Sequence, residues 1–144
     1  MNKKPIEAIT AAAESAIQEI STMVGPIHLD NDVVERLCSL SRMLDGVILS
    51  GKTDDVLDAM ASSLRSIENT FFGLRISGVI FCLKTNPGLQ MSEMRTLMEK
   101  YNAIGFANDV ELTWGVSFDK AMPTDEIHLA ILVGFDVDPT ALSA

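Results

Sequence analysis

The side chains that could do chemistry cluster just after the first predicted helix. His28, Asp30 and Asp32 place three possible metal ligands within a short loop that begins at Gly25. No fourth ligand follows at a spacing typical of a metal site, so the sequence predicts no bound metal. Asp30 or Asn31 is expected to cap the next helix instead, because short polar side chains accept hydrogen bonds from the N–H groups of a first helical turn.

The remaining reactive side chains are two cysteines and a second histidine. Cys38 is predicted on a helix and Cys82 in an apolar strand, so both are expected to be buried, reduced thiols rather than nucleophiles. His128 is expected to face solvent beside Glu126 on the last strand. The sequence therefore predicts no catalytic residue and no cofactor.

Hydrophobic periodicity predicts four helices and four strands that position these groups. The predicted elements, in chain order, are a helix at 5–24, a helix from about 31 to 44, a strand at 46–50, a helix from Thr53 to about Ile67, a strand at 75–85, a helix around 94–101, and strands at 110–118 and 126–135. Gly25 and Pro26 end the first helix.

This order predicts an α+β domain. Two β-α-β crossovers favour parallel neighbouring strands, and the last two strands are expected to be antiparallel. We therefore expect a mixed four-stranded sheet with helices packed on one face, preceded by a long N-terminal helix. Residues 1–144 are expected to form a single domain with a frayed tail after about residue 135.

Composition excludes several classes of function. The 144 residues are 47% hydrophobic and 22% charged, as in a globular protein with one core. Their 11 basic and 20 acidic side chains give a net charge of −9, which disfavours binding to nucleic acid or to an anionic membrane. No apolar run approaches the roughly 20 residues of a membrane span, so a cytoplasmic location is expected.

Four segments carry local patterns typical of one family: Ser77–Thr85, Leu89–Met94, Trp114–Asp119 and Asp125–Phe135. They resemble the C-terminal domain of FtsZ, the bacterial relative of tubulin. The helix at 5–24 also resembles the helix that joins the two FtsZ domains, so the resemblance covers roughly residues 6–135. It implies the fold of that domain, without the GTP-binding domain, and a role in cell division.

In the family, one subunit binds GTP through a glycine-rich loop, and the next subunit inserts a loop of the form asparagine-x-aspartate-x-x-aspartate. An ungapped match places His28 at the asparagine, Asp30 at the first aspartate and Val33 at the last. Asp32 lies one residue earlier, and one residue turns a helical side chain by about 100°. A gapped match places Asp32 at the last acid. The resemblance thus implies a retained loop without its usual catalytic acid.

These observations favour a non-enzymatic interaction domain that caps or modulates the assembly of a GTP-binding FtsZ-like partner. Its candidate interaction loop comprises Gly25, His28, Asp30, Asn31 and Asp32. One alternative is a homodimer formed through the helix at 5–24, where Ala11–Ala13 make a smooth surface. Another alternative is a small enzyme or ligand-binding protein that uses the polar face of the sheet, with Glu111, Thr113, Ser117, Glu126 and His128.

Overall fold

The computed structural model describes residues 8–21, 31–70, 74–88, 91–106 and 110–137. Within them lie five strands and four helices: β1 Ala8–Ile9, α1 Ala11–Ser21, α2 Asn31–Leu40, β2 Met43–Lys52, α3 Thr53–Thr70, β3 Leu74–Thr85, α4 Met91–Ile104, β4 Glu111–Phe118 and β5 Glu126–Val137.

The strands form one mixed sheet in the order β1-β2-β5-β3-β4. Strand β5 is antiparallel to both of its neighbours, β2 and β3, whereas β3 and β4 are parallel. The α+β class and the mixed sheet of four long strands are confirmed, and the two-residue β1 extends the sheet at one edge. The predicted strand neighbours are only partly correct. Strands β3 and β4 are parallel neighbours, but β5 lies between β2 and β3 and is not next to β4.

Strand β5 takes the central position because it is apolar on both sides. Ile127, Leu129 and Ile131 are buried on one side, and Ala130 and Leu132 on the other. A strand of this kind can be kept from water only where helices cover both faces of the sheet.

The prediction that the helices pack on one face is wrong. Helices α3 and α4 form the larger core with the side of the sheet that carries Phe81 and Leu129. Helices α1 and α2 form a second core on the opposite side, where Ile80 and Leu132 are buried. Even-numbered apolar residues of β3 and β5 form the apolar surface on this opposite side of the sheet.

Two predicted helix boundaries also differ. The expected helix at 5–24 is a strand at Ala8–Ile9, and α1 begins only at Ala11. The hydroxyl of Thr10 accepts a hydrogen bond from the Ala13 N–H at 3.1 Å and donates one to Asp45 Oδ1 at 2.6 Å. Thr10 thus acts as the N-cap of α1 and ties it to β2. Residues 5–7 and 22–24 lie outside the described part of the chain.

The second helix ends earlier than expected, at Leu40 rather than Leu44, because β2 starts at Met43. Leu44 is fully buried in the second core from a strand position. The third helix begins at Thr53, as predicted. Its predicted apolar stripe is buried in the larger core: Val56, Leu57, Met60, Leu64 and Ile67.

A pair of glycines lets α2 approach the sheet. Gly78 and Gly134 are register partners on β3 and β5. A Cβ atom at either position would lie 2.8 Å from Leu37 Cδ1, and one at Gly134 would also lie 2.1 Å from Ser41 Oγ. Leu37 therefore occupies the space that side chains on the two strands would take.

Replacing Gly134 with alanine should destabilise the fold, because the added methyl group overlaps Leu37 and Ser41. Overpacking of this kind costs about 1–3 kcal/mol. Urea unfolding should show the loss as a lower midpoint in Gly134→Ala. The control is Gly88→Ala, at an exposed turn where the nearest atom is a side-chain oxygen at 3.2 Å. Equal stability of the two variants would contradict the proposed role of the glycine pair.

Candidate interaction face

The candidate interaction loop joins the two helices that cover one face of the sheet. Ala13, Ala16 and Ile20 of α1 and Leu37 of α2 are buried together in the second core. We call the outer surface of these two helices the α1–α2 face. The helices on either side of the loop therefore pack on the same side of the sheet.

Of the five predicted loop residues, Gly25, His28 and Asp30 lie outside the described residues. Asn31 is the first residue of α2, at the position where a helix start was predicted. Asp32 follows it in the first turn and is exposed to solvent. The structure thus places only Asn31 and Asp32, both at the N-terminus of α2.

Val33 points away from the surface that Asp32 occupies. It is half-buried and packs against the second core beside Val34 and Leu37. The residue that the ungapped match aligns with the last loop acid of FtsZ is therefore an apolar side chain turned towards the sheet. Asp32 lies on the solvent side of α2, as the rotation of about 100° between consecutive helical residues requires.

The sequence predicted that His128 faces solvent. In the structure it is paired with Glu19. Its Nε2 lies 2.6 Å from Oε2 of Glu19 on α1. The side chains of His128 and Glu19 are 25% and 37% exposed. This pair ties the C-terminal half of α1 to the central strand. It joins residues 109 positions apart, and neither local sequence contains a signal for it.

Cys82 lies in the second core on β3, and Cys38 is half-buried on α2; neither forms a disulfide. The pKa of the Cys82 thiol is raised from 9.0 to about 11, first by burial and then by the Glu19 carboxylate, while Lys84 lowers it. A thiol with this pKa is protonated at neutral pH and is a poor nucleophile.

The opposite end of the same side of the sheet carries paired charges. Arg36 of α2 binds Glu111 of β4 through two hydrogen bonds, at 3.0 and 2.6 Å. The Arg36 guanidinium holds the pKa of the Glu111 carboxyl below its ordinary value. A groove of about 290 Å³ passes this pair and also contacts Arg75 and Asp136. Because both basic and acidic side chains line it, the groove has no strong preference for ions of one sign.

The five polar residues proposed for a ligand site share this side of the sheet but do not converge. Glu111 and Ser117 are six residues apart on β4, a distance of about 20 Å along a strand. Lys84 lies in register between Ser117 and His128. The set is therefore divided between the two ends of the sheet.

The alanines proposed for a helix-mediated homodimer do not form one surface. Ala11 and Ala12 are exposed, whereas Ala13 is fully buried against the sheet. The outward residues of α1 are otherwise polar, with Glu14 and Gln18 among them. The outer side of α1 therefore offers little apolar area to a partner.

Two classes of site find no support among the described residues. No three histidine, cysteine, aspartate or glutamate side chains there are grouped closely enough to hold a metal ion. In the same ranges, no helix combines the length and apolarity needed to cross a membrane.

The fold defined above is that of an FtsZ-like domain. An FtsZ dimer from M. jannaschii, in an empty state, superposes with a TM-score of 0.61 at 15% sequence identity, over 85% of this chain and 35% of that one. A mutant FtsZ from the same organism gives 0.60 at 12% identity, over 85% of this chain and 36% of that one. The chain thus spans about a third of the length of these proteins.

A more distant likeness is to thiamine monophosphate kinase from Aquifex aeolicus, with a TM-score of 0.50 at 11% identity over 66% of this chain and 33% of that one. No protein-family model and no curated protein sequence matches the chain. At these identities the comparisons establish the fold, and they agree with the fold expected from the sequence resemblance.

The environment of Cys82 predicts a specific labelling behaviour. In a Cys38→Ser background, a thiol-reactive reagent reports on Cys82 alone. An increase of the pKa from 9.0 to about 11 lowers the thiolate fraction at neutral pH about a hundredfold. The labelling rate should therefore keep rising with pH up to about 11.

Glu19→Gln should move this labelling profile to lower pH, because the Glu19 carboxylate opposes ionisation of the thiol. Loosening of α1 alone would raise the rate at every pH without moving the profile. The matched control is Glu14→Gln on the same helix, at an exposed position. Identical profiles for the two variants would contradict the electrostatic role of Glu19.

Proposed function

We propose that this chain is a non-enzymatic interaction domain that docks onto a GTP-binding FtsZ-like subunit and limits its assembly. The observation that carries the proposal is the orientation of Val33. In a domain with the FtsZ-like fold, the aligned position of the last loop acid is an apolar side chain packed into the second core.

The first argument concerns the frame around the loop. The two helices that hold its ends, α1 and α2, are fixed by the second core, the Glu19–His128 pair and the fit of Leu37 over Gly78 and Gly134. Asn31 and Asp32, at the N-terminus of α2, therefore have a defined place relative to the sheet. This favours docking in the manner that the resemblance implies, on the nucleotide-binding face of a neighbouring subunit.

The second argument concerns what docking would accomplish. The family's acidic loop promotes attack of water on GTP, and a carboxylate must reach the water to do so. Val33 cannot act as a base, and Asp32 points in a different direction around the helix. A docked copy would occupy the interface without completing the catalytic arrangement.

The third argument concerns the direction of growth. A filament subunit must both insert a loop into one neighbour and offer a nucleotide site to the next. The described residues contain the helices that flank the loop, and the sequence has no glycine-rich phosphate loop. Residues 1–144 by themselves, bound at the end of a filament, would therefore offer no glycine-rich phosphate loop to the next subunit.

The test is FtsZ polymerisation with GTP, followed by light scattering and phosphate release, using the FtsZ from the same organism. Added domain should reduce both signals at less than one copy per FtsZ subunit, because capping acts on filament ends. If the domain changes neither signal at a several-fold molar excess, the proposed function is wrong.

A pair of charge reversals on α2 locates the docking surface. Asp32→Lys should weaken inhibition about tenfold or more, since Asp32 is the exposed charged residue of the candidate interaction loop that the structure describes, and reversal of an interface charge places like charges together. Glu35→Lys makes the same charge change one turn along α2 at another exposed position, and it should inhibit as wild type does. Equal loss in both variants would point to overall charge rather than to this surface.

A further inference from the structure

The charged groove at one end of the sheet is shaped by an irregularity in β3. Ile76 is in register with Phe135 of β5, and Gly78 is in register with the preceding residue of β5, Gly134. Ser77 is therefore one extra residue on β3, which makes this point a β-bulge. A bulge interrupts the alternation of side chains along its strand, and bulges often re-aim side chains beside functional sites.

The bulge turns Arg75 towards α2. Ile80 packs in the second core, whereas Ile76, which is also even-numbered, packs in the larger core on the opposite side of the sheet. The odd-numbered Arg75 is correspondingly on the α2 side, where it lines the groove beside its register partner Asp136. Without the extra residue, the Arg75 side chain would face the larger core instead of the groove.

The groove collects charges of both signs from four elements. Arg36 of α2 and Arg75 of β3 are basic lining residues, and Glu111 of β4 and Asp136 of β5 are acidic ones. These four formal charges cancel, although the whole chain carries a net charge of −9. The volume of about 290 Å³ is near the lower end for small-molecule sites. The groove therefore suits a small ligand without net charge rather than a simple ion.

The Arg36–Glu111 pair can open to admit such a ligand. Its side chains are 66% and 46% exposed, and exposed ion pairs contribute little to stability. An anion bound to Arg36 alone would face the Glu111 carboxylate, and a cation bound to Glu111 alone would face the Arg36 guanidinium. A molecule that carries both charges avoids either repulsion, because it gives each side chain a new partner of the opposite charge.

Leu40 gives the groove an apolar wall. This residue is the last of α2, it lines the groove, and its side chain is 37% exposed. Contact with an aliphatic group would remove part of this apolar surface from water, which is favourable. The groove thus combines an accessible pair of opposite charges with an adjacent apolar surface.

We propose that the groove binds a small zwitterion with an aliphatic side chain, of the chemical type of a free α-amino acid. The ligand carboxylate binds the Arg36 guanidinium, whose planar fork matches two carboxylate oxygens. The ligand ammonium group binds the Glu111 carboxylate, and the aliphatic side chain lies against Leu40. Arg75 and Asp136 add one more charge of each sign to the lining.

The test is a titration of the isotope-labelled chain, followed by NMR, with three probes that have the same aliphatic side chain. L-Leucine carries both charges, isocaproate carries the negative one alone, and isoamylamine carries the positive one alone. Leucine should shift the amide signals of Ser39, Ser77 and Glu111 with a dissociation constant in the millimolar range. Each analogue should bind about tenfold more weakly, because it leaves one charge of the opened pair unmatched. Equal binding of the three probes, or no shift of these signals at about 50 mM leucine, would overturn the proposal.

Substitution of each charged partner should remove one half of this preference. Arg36→Gln should bind leucine no more tightly than isoamylamine, and Glu111→Gln should bind leucine no more tightly than isocaproate. Arg36→Lys keeps the positive charge and should retain the preference for leucine. A loss of affinity that is equal for all three probes would indicate a structural role for the pair and would contradict the assigned contacts.

Lys52→Gln is the matched control for these variants. It breaks another exposed ion pair, with Asp125, at the end of β2 that is far from the groove. Its leucine titration should match that of wild type, and weaker binding would implicate the charge of the whole chain and overturn the assignment to the groove. The spectra also show whether each variant is folded. If either Arg36→Gln or Glu111→Gln fails to fold, the other still tests its own half of the preference.

The groove and the proposed docking surface lie at opposite ends of α2. Asp32 is in the first turn of the helix, whereas Leu40 is its last residue. Asp32→Lys should therefore lose inhibition of FtsZ and still bind leucine as wild type does. Because the leucine titration contains no FtsZ, its outcome is independent of the outcome for the proposed function.

Discussion

The structure depends on the burial of β5 from both sides. Its alternate residues, such as Ile131 and Leu132, are equally inaccessible, so each face of the sheet must carry its own helical layer. A sheet covered on one face would leave Ala130 and Leu132 in water, at a cost of about 25 cal/mol for each Å² of apolar surface. The position of α1 and α2 therefore follows from the composition of a strand far along the chain.

The second layer combines buried leucine and isoleucine side chains with close approach of the backbones. Alanines on α1 and glycines on β2, β3 and β5 bring the backbones together. A Cβ at Gly46 would lie 2.7 Å from the Ile131 carbonyl oxygen and 3.2 Å from the Ala12 carbonyl oxygen. Tight packing of this kind leaves α2 little freedom to rotate about its axis, because Leu37 would lose its place over Gly78 and Gly134. The inward orientation of Val33 is thus set by Leu37, about one helical turn further along α2, and by two glycines on distant strands, Gly78 and Gly134.

Local sequence patterns predicted those features that depend on residues close together in the chain. The stripe of α3 from Val56 to Ile67 and its start at Thr53 follow from helical periodicity and capping, and the parallel pairing of β3 and β4 follows from the helix that connects them. The order of the sheet was not predictable in the same way. Insertion of β5 between β2 and β3 is decided by competition among strands for the most buried position, which no single segment encodes.

The contacts of the candidate-site residues could also be predicted from the sequence only where the signal is local. The helix start at Asn31 was visible in the sequence, because capping residues precede an apolar stripe. The Glu19–His128 and Arg36–Glu111 pairs were not, since they join residues 109 and 75 positions apart. The two-residue β1 was missed because Ala8 and Ile9 also fit the helical periodicity, and only pairing with Met43 and Leu44 distinguishes the strand.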